Sequence, residues 1–105
     1  MNRQSIQQKK KENPFESKLR QSKVVLISNL ENHFENAQEV HNLFSTFGNI
    51  RKVLLMKNLN KALIEYFSTD SSLLCALNVN NLRLRNTELR VNYSKYHSID
   101  LSKSS

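Results

Sequence analysis

Residues 24–30 read Val-Val-Leu-Ile-Ser-Asn-Leu, written VVLISNL, and the reading of this run decides the fold. Lys23 to Ser28 is short, rich in β-branched residues and stopped by Asn29, the marks of a β-strand. Residues 1 to 21 before it are polar, rich in Gln, Lys, Asn and Ser, and lack apolar periodicity, so they read as a flexible basic arm. After it a loop runs through Asn36. Ala37, Val40, Leu43, Phe44 and Phe47 then recur at helical spacing, with Asn36 placed to cap the helix and the aromatics expected in the core. Gly48, the only glycine in the chain, follows the last of them and is expected as a left-handed C-terminal cap.

The rest of the chain continues the pattern. Ile50 to Met56 predicts a second strand and Ala62 to Phe67 a third, with Lys57-Asn58-Leu59-Asn60 as the turn between them. Ser68-Thr69-Asp70 supplies capping groups for a helix over Ser72 to Val79, and Asn80 and Asn81 end it where glycine would be easier. Leu82 to Thr87 reads as a small extra hairpin, Glu88 to Ser94 as the fourth strand, and the tail HSIDLSKSS as a fraying end. The order βαββαβ within about 75 residues corresponds to the ferredoxin-like α+β fold: a four-stranded antiparallel sheet with both helices on one face. The other sheet face is left open, and function is expected there.

Composition narrows the function classes. A chain of 105 residues has room for one small domain, expected over residues 22–98, between the arm at 1–21 and a flexible tail at 99–105. The net charge of +7 points to a polyanionic partner, but residues 1–23 hold +5 of it and residues 24–105 only +2. The Lys9-Lys10-Lys11 run can be a nuclear import signal, a steering arm or a solvated tail. The single cysteine, Cys75, excludes an intramolecular disulfide and any multi-cysteine zinc site, and suggests a reducing compartment. No stretch approaches the roughly 20 apolar residues of a membrane span, and no secretory signal is read at the N-terminus, so a soluble protein without membrane contact is expected. His33, His41 and His97 are far apart, and neither paired carboxylates nor a phosphate-binding loop appears; no enzyme and no cofactor are expected. Asn92-Tyr93-Ser94 matches a glycosylation sequon, but within a strand and without a signal peptide it is discarded.

Period-2 alternation assigns the strand faces. Val25 and Ile27 of the first strand should face the helices while Val24, Leu26 and Ser28 face outward; in the third, Ala62, Ile64 and Tyr66 face in and Lys61, Leu63 and Glu65 out. The second strand should bury Ile50, Val53 and Leu55 and expose Lys52, Leu54 and Met56. In the fourth, Leu89 and Val91 go inward while Arg90, Asn92 and Ser94 go outward. The expected open face is an apolar floor of Leu26, Leu54, Met56 and Leu63, fringed by Lys52, Lys61, Arg90 and Lys95.

Over residues 23 to about 97 the chain resembles the RNA recognition motif family. VVLISNL is similar to that family's first-strand hexamer ending in Asn-Leu. LNKALIEY, residues 59–66, occupies the third-strand octamer, of which Ala62, Ile64 and Tyr66 match and the first half does not. The usual stacking positions fall on Leu26, Lys61 and Leu63, none of them aromatic. This departure, with the strand-4 run Leu89 to His97, resembles the group of the polypyrimidine-tract-binding protein and heterogeneous nuclear ribonucleoprotein L.

The resemblance implies single-stranded RNA binding on the sheet face, pyrimidine-rich, in splicing or other RNA processing, by a nuclear protein with scope to shuttle to the cytoplasm. The aliphatic floor would cover one face of a base. Asn92, Ser94 and the main chain from Lys95 through Tyr96 to His97 would hydrogen-bond base edges, Lys52, Lys61, Arg90 and Lys95 would attract phosphate, and Ser28 belongs to the same RNA-binding face. Arg83 and Arg85, in the hairpin, serve contact or solubility equally well. On the second helix Ser72, Cys75, Ala76 and Val79 make the core stripe, and Leu73, Leu74 and Leu77 widen the apolar surface beyond it. These three leucines suggest a peptide-binding site, unless Leu82 and Leu84 cover them. A monomer is expected. The rival reading is a protein-interaction module that kept the fold and lost RNA, to which Glu31, Glu35 and Glu39 lend some support.

Overall fold

The computed structural model describes residues 22–94 and 99; the arm at 1–21, residues 95–98 and the tail at 100–105 lie outside the described residues. Strand β1 (Val24–Ser28) leads through a loop to α1 (Ala37–Phe44), then β2 (Ile50–Met56), β3 (Lys61–Tyr66) and α2 (Thr69–Val79). A two-stranded hairpin, β4 (Arg83–Leu84) with β5 (Thr87–Glu88), precedes β6 (Arg90–Tyr93). The main sheet runs β2-β3-β1-β6 with every neighbour antiparallel. The expected ferredoxin-like α+β fold is therefore the one formed, and β1 is a central strand.

Local chemistry sets the helix ends. Asn36 Oδ1 accepts from the Glu39 amide at 3.0 Å, and Glu39 Oε1 accepts from the Glu35 amide at 2.8 Å, so one reciprocal pair of side-chain acceptors satisfies two N-terminal donors. Ser68 caps α2 through a 3.2 Å bond from the Ser71 amide. Asn80 leaves the helix in extended backbone and Asn81 takes a left-handed φ of 71°, the role expected of the asparagine pair. The turn after β2 is a 3-10 turn ended by Asn60 at φ 58°.

The core lies between the sheet and the two helices. Val25 and Ile27 from β1, Ala62, Ile64 and Tyr66 from β3, and Val91 from β6 meet Val40 and Phe44 of α1 and Cys75, Ala76 and Val79 of α2, all buried. Each large side chain fully withdrawn from water here contributes about 1.5–3 kcal/mol. The Tyr66 hydroxyl donates to the Phe44 carbonyl at 2.7 Å, which ties the last turn of α1 to the sheet. Burial pushes the Cys75 thiol up to about 12, with a smaller opposing effect from the Tyr66 hydroxyl, so the chain's one cysteine stays protonated and unreactive at neutral pH.

Several expectations are corrected. The first helix ends at Phe44 and runs on as a 3-10 turn, Ser45–Phe47. Leu43, at helical spacing with the core residues, is exposed, and Phe34 from the preceding loop is buried with its ring 6.1 Å from that of Phe44. Gly48 is not a left-handed cap: its φ of 150° and ψ of 178° lie in the extended region open to glycine alone. A Cβ there would stand 1.9 Å from Ser71 Oγ and 2.5 Å from Ser71 Cβ, so the glycine is needed because α2 passes over it. The third strand covers Lys61 to Tyr66, leaving Phe67 exposed, and the fourth begins at Arg90 because Thr87 and Glu88 pair into the hairpin. Burial of both Ile50 and Val53, which strict alternation forbids, is reconciled by a register shift between Ile50 and Lys52 that sets Arg51 apart from the ladder.

Candidate nucleic-acid interface

Strand register sorts the outward residues into three rows that cross the open face. In the middle row Leu54 stands opposite Leu63, Leu63 opposite Leu26, and Leu26 opposite Asn92. With strands about 4.8 Å apart, the row is about 14 Å long. Its three leucines are half-buried and its end residue, Asn92, is exposed, with a side-chain amide bonded to no described residue. This is the expected floor, narrower and straighter than alternation alone implied. It offers apolar area that covers a base without a ring to stack on, and one amide that can donate and accept at a base edge.

A second row lies about 7 Å along the strands. Met56 stands opposite Lys61, and Ser28 opposite Arg90. Lys61 makes no side-chain bond to another described residue, so its ammonium is available. Arg90 is committed: it donates to Asn81 Oδ1 at 2.6 Å and lies 3.9 Å from a Glu88 carboxylate oxygen. These bonds tie Arg90 to the turn after α2 and to β5, while its side chain stays 54% exposed.

The third row, on the other side of the leucines, is not open. Lys52 stands opposite Glu65 and Glu65 opposite Val24, whose carbonyl accepts from the Ser94 amide at 2.9 Å. Val24 and Glu65, expected outward and exposed, are 1% and 4% exposed. Ile99 lies against this row: it is itself 6% exposed, its amide donates to Glu65 Oε1 at 2.9 Å, and its carbonyl accepts from Lys52 Nζ at 3.3 Å. Arg51, freed by the register shift, adds a 3.0 Å ion pair to the same Glu65 oxygen. Lys52 is thus already bonded and is not a free phosphate contact. Ser94 is half-buried at the end of this row. Lys95, Tyr96 and His97 lie outside the described residues.

The two ends of the open face are locked differently. At the β1 exit, Asn29 Nδ2 donates to the Glu88 carbonyl at 2.9 Å, and His33 Nε2 meets Thr87 Oγ1 at 2.6 Å. Thr87 donates its own hydrogen to the Leu84 carbonyl at 3.0 Å, so His33 is the donor of that pair, through Nε2–H. The loop after β1 and the hairpin before β6 are therefore tied together at two points. Sequence reading missed these tethers, as well as Glu65 and Ile99. The one usable signal was Glu65 itself, an acid on an otherwise basic and apolar face.

On the opposite side of the domain the leucines of α2 divide. Leu73 is half-buried, whereas Leu74 and Leu77 are 48% and 52% exposed. Leu84 packs on the core and Leu82 is exposed, so neither covers the pair. Arg83 and Arg85 are exposed at the hairpin. Among the described residues no group of His, Cys, Asp and Glu could hold a metal ion.

Comparison with solved structures gives the same architecture. The domain superposes on the Rna15 RRM with bound RNA (GU) at a TM-score of 0.65, with 23% identity over 74% of this chain and 88% of that one. The RRM domain of S. pombe Puf1 matches at 0.61, with 23% identity over 70% of this chain and 97% of that one. Residues 3–104 match the family model described as RNA recognition motif, also known as the RRM, RBD or RNP domain. The four-stranded sheet with its helices on one face, the open rows across the other and this match over nearly the whole chain lead to one assignment: the chain belongs to the RNA recognition motif family.

Proposed function

We propose that the open sheet face binds single-stranded RNA and reads a short pyrimidine-rich run, in pre-mRNA splicing or other RNA processing in the nucleus. The observation that carries the reading is the in-register row Leu54, Leu63, Leu26 and Asn92 beside the unbonded Lys61. An aliphatic floor withdraws apolar base surface from water at about 25 cal/mol per Å², without the 1–3 kcal/mol or so per base that an aromatic platform gives. Purines, which gain most from stacking on a ring, therefore lose most by its absence, and small bases with a readable edge are relatively favoured. Asn92 supplies donor and acceptor to that edge, and Lys61 supplies attraction to phosphate that is indifferent to sequence. The resemblance of VVLISNL and of the Leu89–His97 run to the polypyrimidine-tract-binding group supports the pyrimidine preference, and the Rna15 RRM, solved with bound RNA (GU), supports RNA binding in general.

The test is a titration of the protein with CUCU and with an A-rich tetranucleotide at two salt concentrations, following backbone amide shifts. CUCU should move Leu26, Leu63 and Asn92 more than the A-rich strand does, with log affinity falling about 0.7 per phosphate contacted for each log unit of salt. Shifts confined to the helices, or none, would refute it. Exposure of Leu74, Leu77 and Leu82 favours a second reading, a peptide-binding surface on the helical side. Leu77→Glu should then abolish peptide capture while changing stability by less than about 0.5 kcal/mol, as expected of an exposed site.

A further inference from the structure

The middle row has no ring, yet this side of the sheet has one. Phe67 is 58% exposed and is the one exposed aromatic among the described residues; Phe34, Phe44, Tyr66 and Tyr93 are buried and Phe47 is half-buried. Its direction follows from the main chain. The Tyr66 amide donates to the Lys23 carbonyl beside β1 at 2.8 Å, and the next amide, that of Phe67, donates to the Asn49 carbonyl beside β2 at 3.0 Å. The extended backbone of β3 therefore continues one residue past its end, and Ser68 after it is extended as well. Side chains alternate along such a backbone and Tyr66 lies in the core, so Phe67 points to the open side, as Leu63 and Glu65 do. It stands about 13 Å along the strand from Leu63, with the closed row of Glu65 between them.

A single exposed apolar side chain is ordinary on a protein surface; the surroundings of Phe67 give it a use. The register shift between Ile50 and Lys52 sets Arg51 apart from the ladder, and its guanidinium reaches Glu65 Oε1 at 3.0 Å on this same face, with the side chain 43% exposed. That bond takes one of its N–H donors and leaves others for a second acceptor. Glu65 is thereby neutralised, and Lys52 leaves the row net positive. Asn49, Arg51 and Ser68, the exposed residues around Phe67, are all polar or charged. A protein partner would find little apolar area beyond the ring itself, whereas a base needs one ring to stack on and its phosphate needs a cation beside it.

We propose that Phe67 is a stacking platform for one base of single-stranded RNA, with Arg51 holding the adjoining phosphate; this rests on the RNA-binding reading above. The platform lies outside the usual stacking positions, which fall on Leu26, Lys61 and Leu63. The middle row takes bases without a ring, the strand crosses the third row with its backbone alone, and Phe67 takes a base farther along. Because every base has a face to stack, this contact adds affinity with little choice among bases.

The test compares the full chain with Phe67→Leu, which removes the ring and stays apolar, and with Phe67→Tyr, which keeps the ring. The probes are CUCUCU and six forms of it that each lack one base, measured by fluorescence anisotropy at fixed salt. Phe67→Leu should bind CUCUCU about fivefold or more weakly than the wild type, and Phe67→Tyr within about twofold of it. At least one abasic form should lose the same factor on the wild type and nothing further on Phe67→Leu, a coupling that assigns the base to the ring. The Phe67 ring protons should move upfield on addition of CUCUCU, under the ring current of the stacked base. Equal binding of CUCUCU by the wild type and Phe67→Leu, or ring protons left in place, overturns the proposal, while amide shifts at Leu26, Leu63 and Asn92 keep the RNA reading standing. If none of the chains binds CUCUCU, both fall. Phe67→Leu should keep the amide spectrum of Val25, Ile64 and Tyr66, since Phe67 is outside the core those residues form.

Discussion

Gly48→Ala should be among the most destabilising single-methyl changes in this domain, and the structure separates its cost into two parts. The added Cβ meets Ser71 Oγ at 1.9 Å and Ser71 Cβ at 2.5 Å. A rotation of Ser71 moves the oxygen away, at the expense of its 3.1 Å contact with Ser68 Oγ, but the Cβ is fixed to the helix backbone. Carbon atoms rest at about 3.5 Å or more, so the first turn of α2 must retreat by about 1 Å, an overpacking of about 1–3 kcal/mol. The φ of 150° adds a backbone cost of about 1–3 kcal/mol for any residue with a Cβ. Against these stands a gain of about 0.4–1 kcal/mol from a stiffer unfolded chain. The expected net loss is about 1–5.5 kcal/mol. Ser71→Gly removes the fixed carbon and leaves the Ser71 main chain 3.7 Å away, so the double variant should recover the overpacking part and keep the backbone part. Urea unfolding of the wild type, both single variants and the double variant measures this as a coupling of about 1–3 kcal/mol at constant m-value. A coupling within about 0.5 kcal/mol of zero would show that Gly48 is retained for its backbone angle alone, and that the close approach of α2 is not a constraint.

Three further outcomes follow from the site and the core. Leu63→Phe puts a ring at the centre of the middle row, and should tighten binding of short single strands about fivefold or more; it should also help A-rich strands, since every base has a face to stack, and unchanged affinity would mean that bases do not lie on this row. Lys61→Gln should weaken CU-rich and A-rich strands alike and reduce the salt slope by about 0.7, the signature of one lost phosphate contact. Because the Cys75 thiol is raised by burial to about 12, the unfolded chain ionises first; stability is full below about pH 8.5 and falls at about 1.4 kcal/mol per pH unit from there towards 12. Burial also raises Tyr66, which steepens the loss above about pH 10. Cys75→Ala should flatten the fall between pH 9 and 10, as measured by denaturant midpoints.

The elements of this protein were legible because each is specified by neighbours in sequence. Period-2 runs name β1, β2, β3 and β6, and Asn36 and Ser68 name the starts of the helices; alternation assigns Leu26, Leu54, Leu63 and Asn92 to one face. Where the reading slipped, the deciding contact came from far along the chain. Gly48 looks like a helix cap locally, but its conformation answers to Ser71 on another element. Leu43 has helical spacing yet stands exposed, while Phe34, outside any helix, takes the core position.

Sequence by itself determined the order of elements, the fold class and which residues point away from the helices. Tertiary structure decided which of those outward residues remain available. Glu65 and Ile99 are 34 residues apart, and Arg90 on β6 reaches Asn81 in the turn after α2. Alternation gives a side chain its direction but not its partners, since partners arrive by chain return over distances that carry no local period. Tertiary bonds occupy Lys52 and Arg90, and leave the leucine row, Asn92 and Lys61 open.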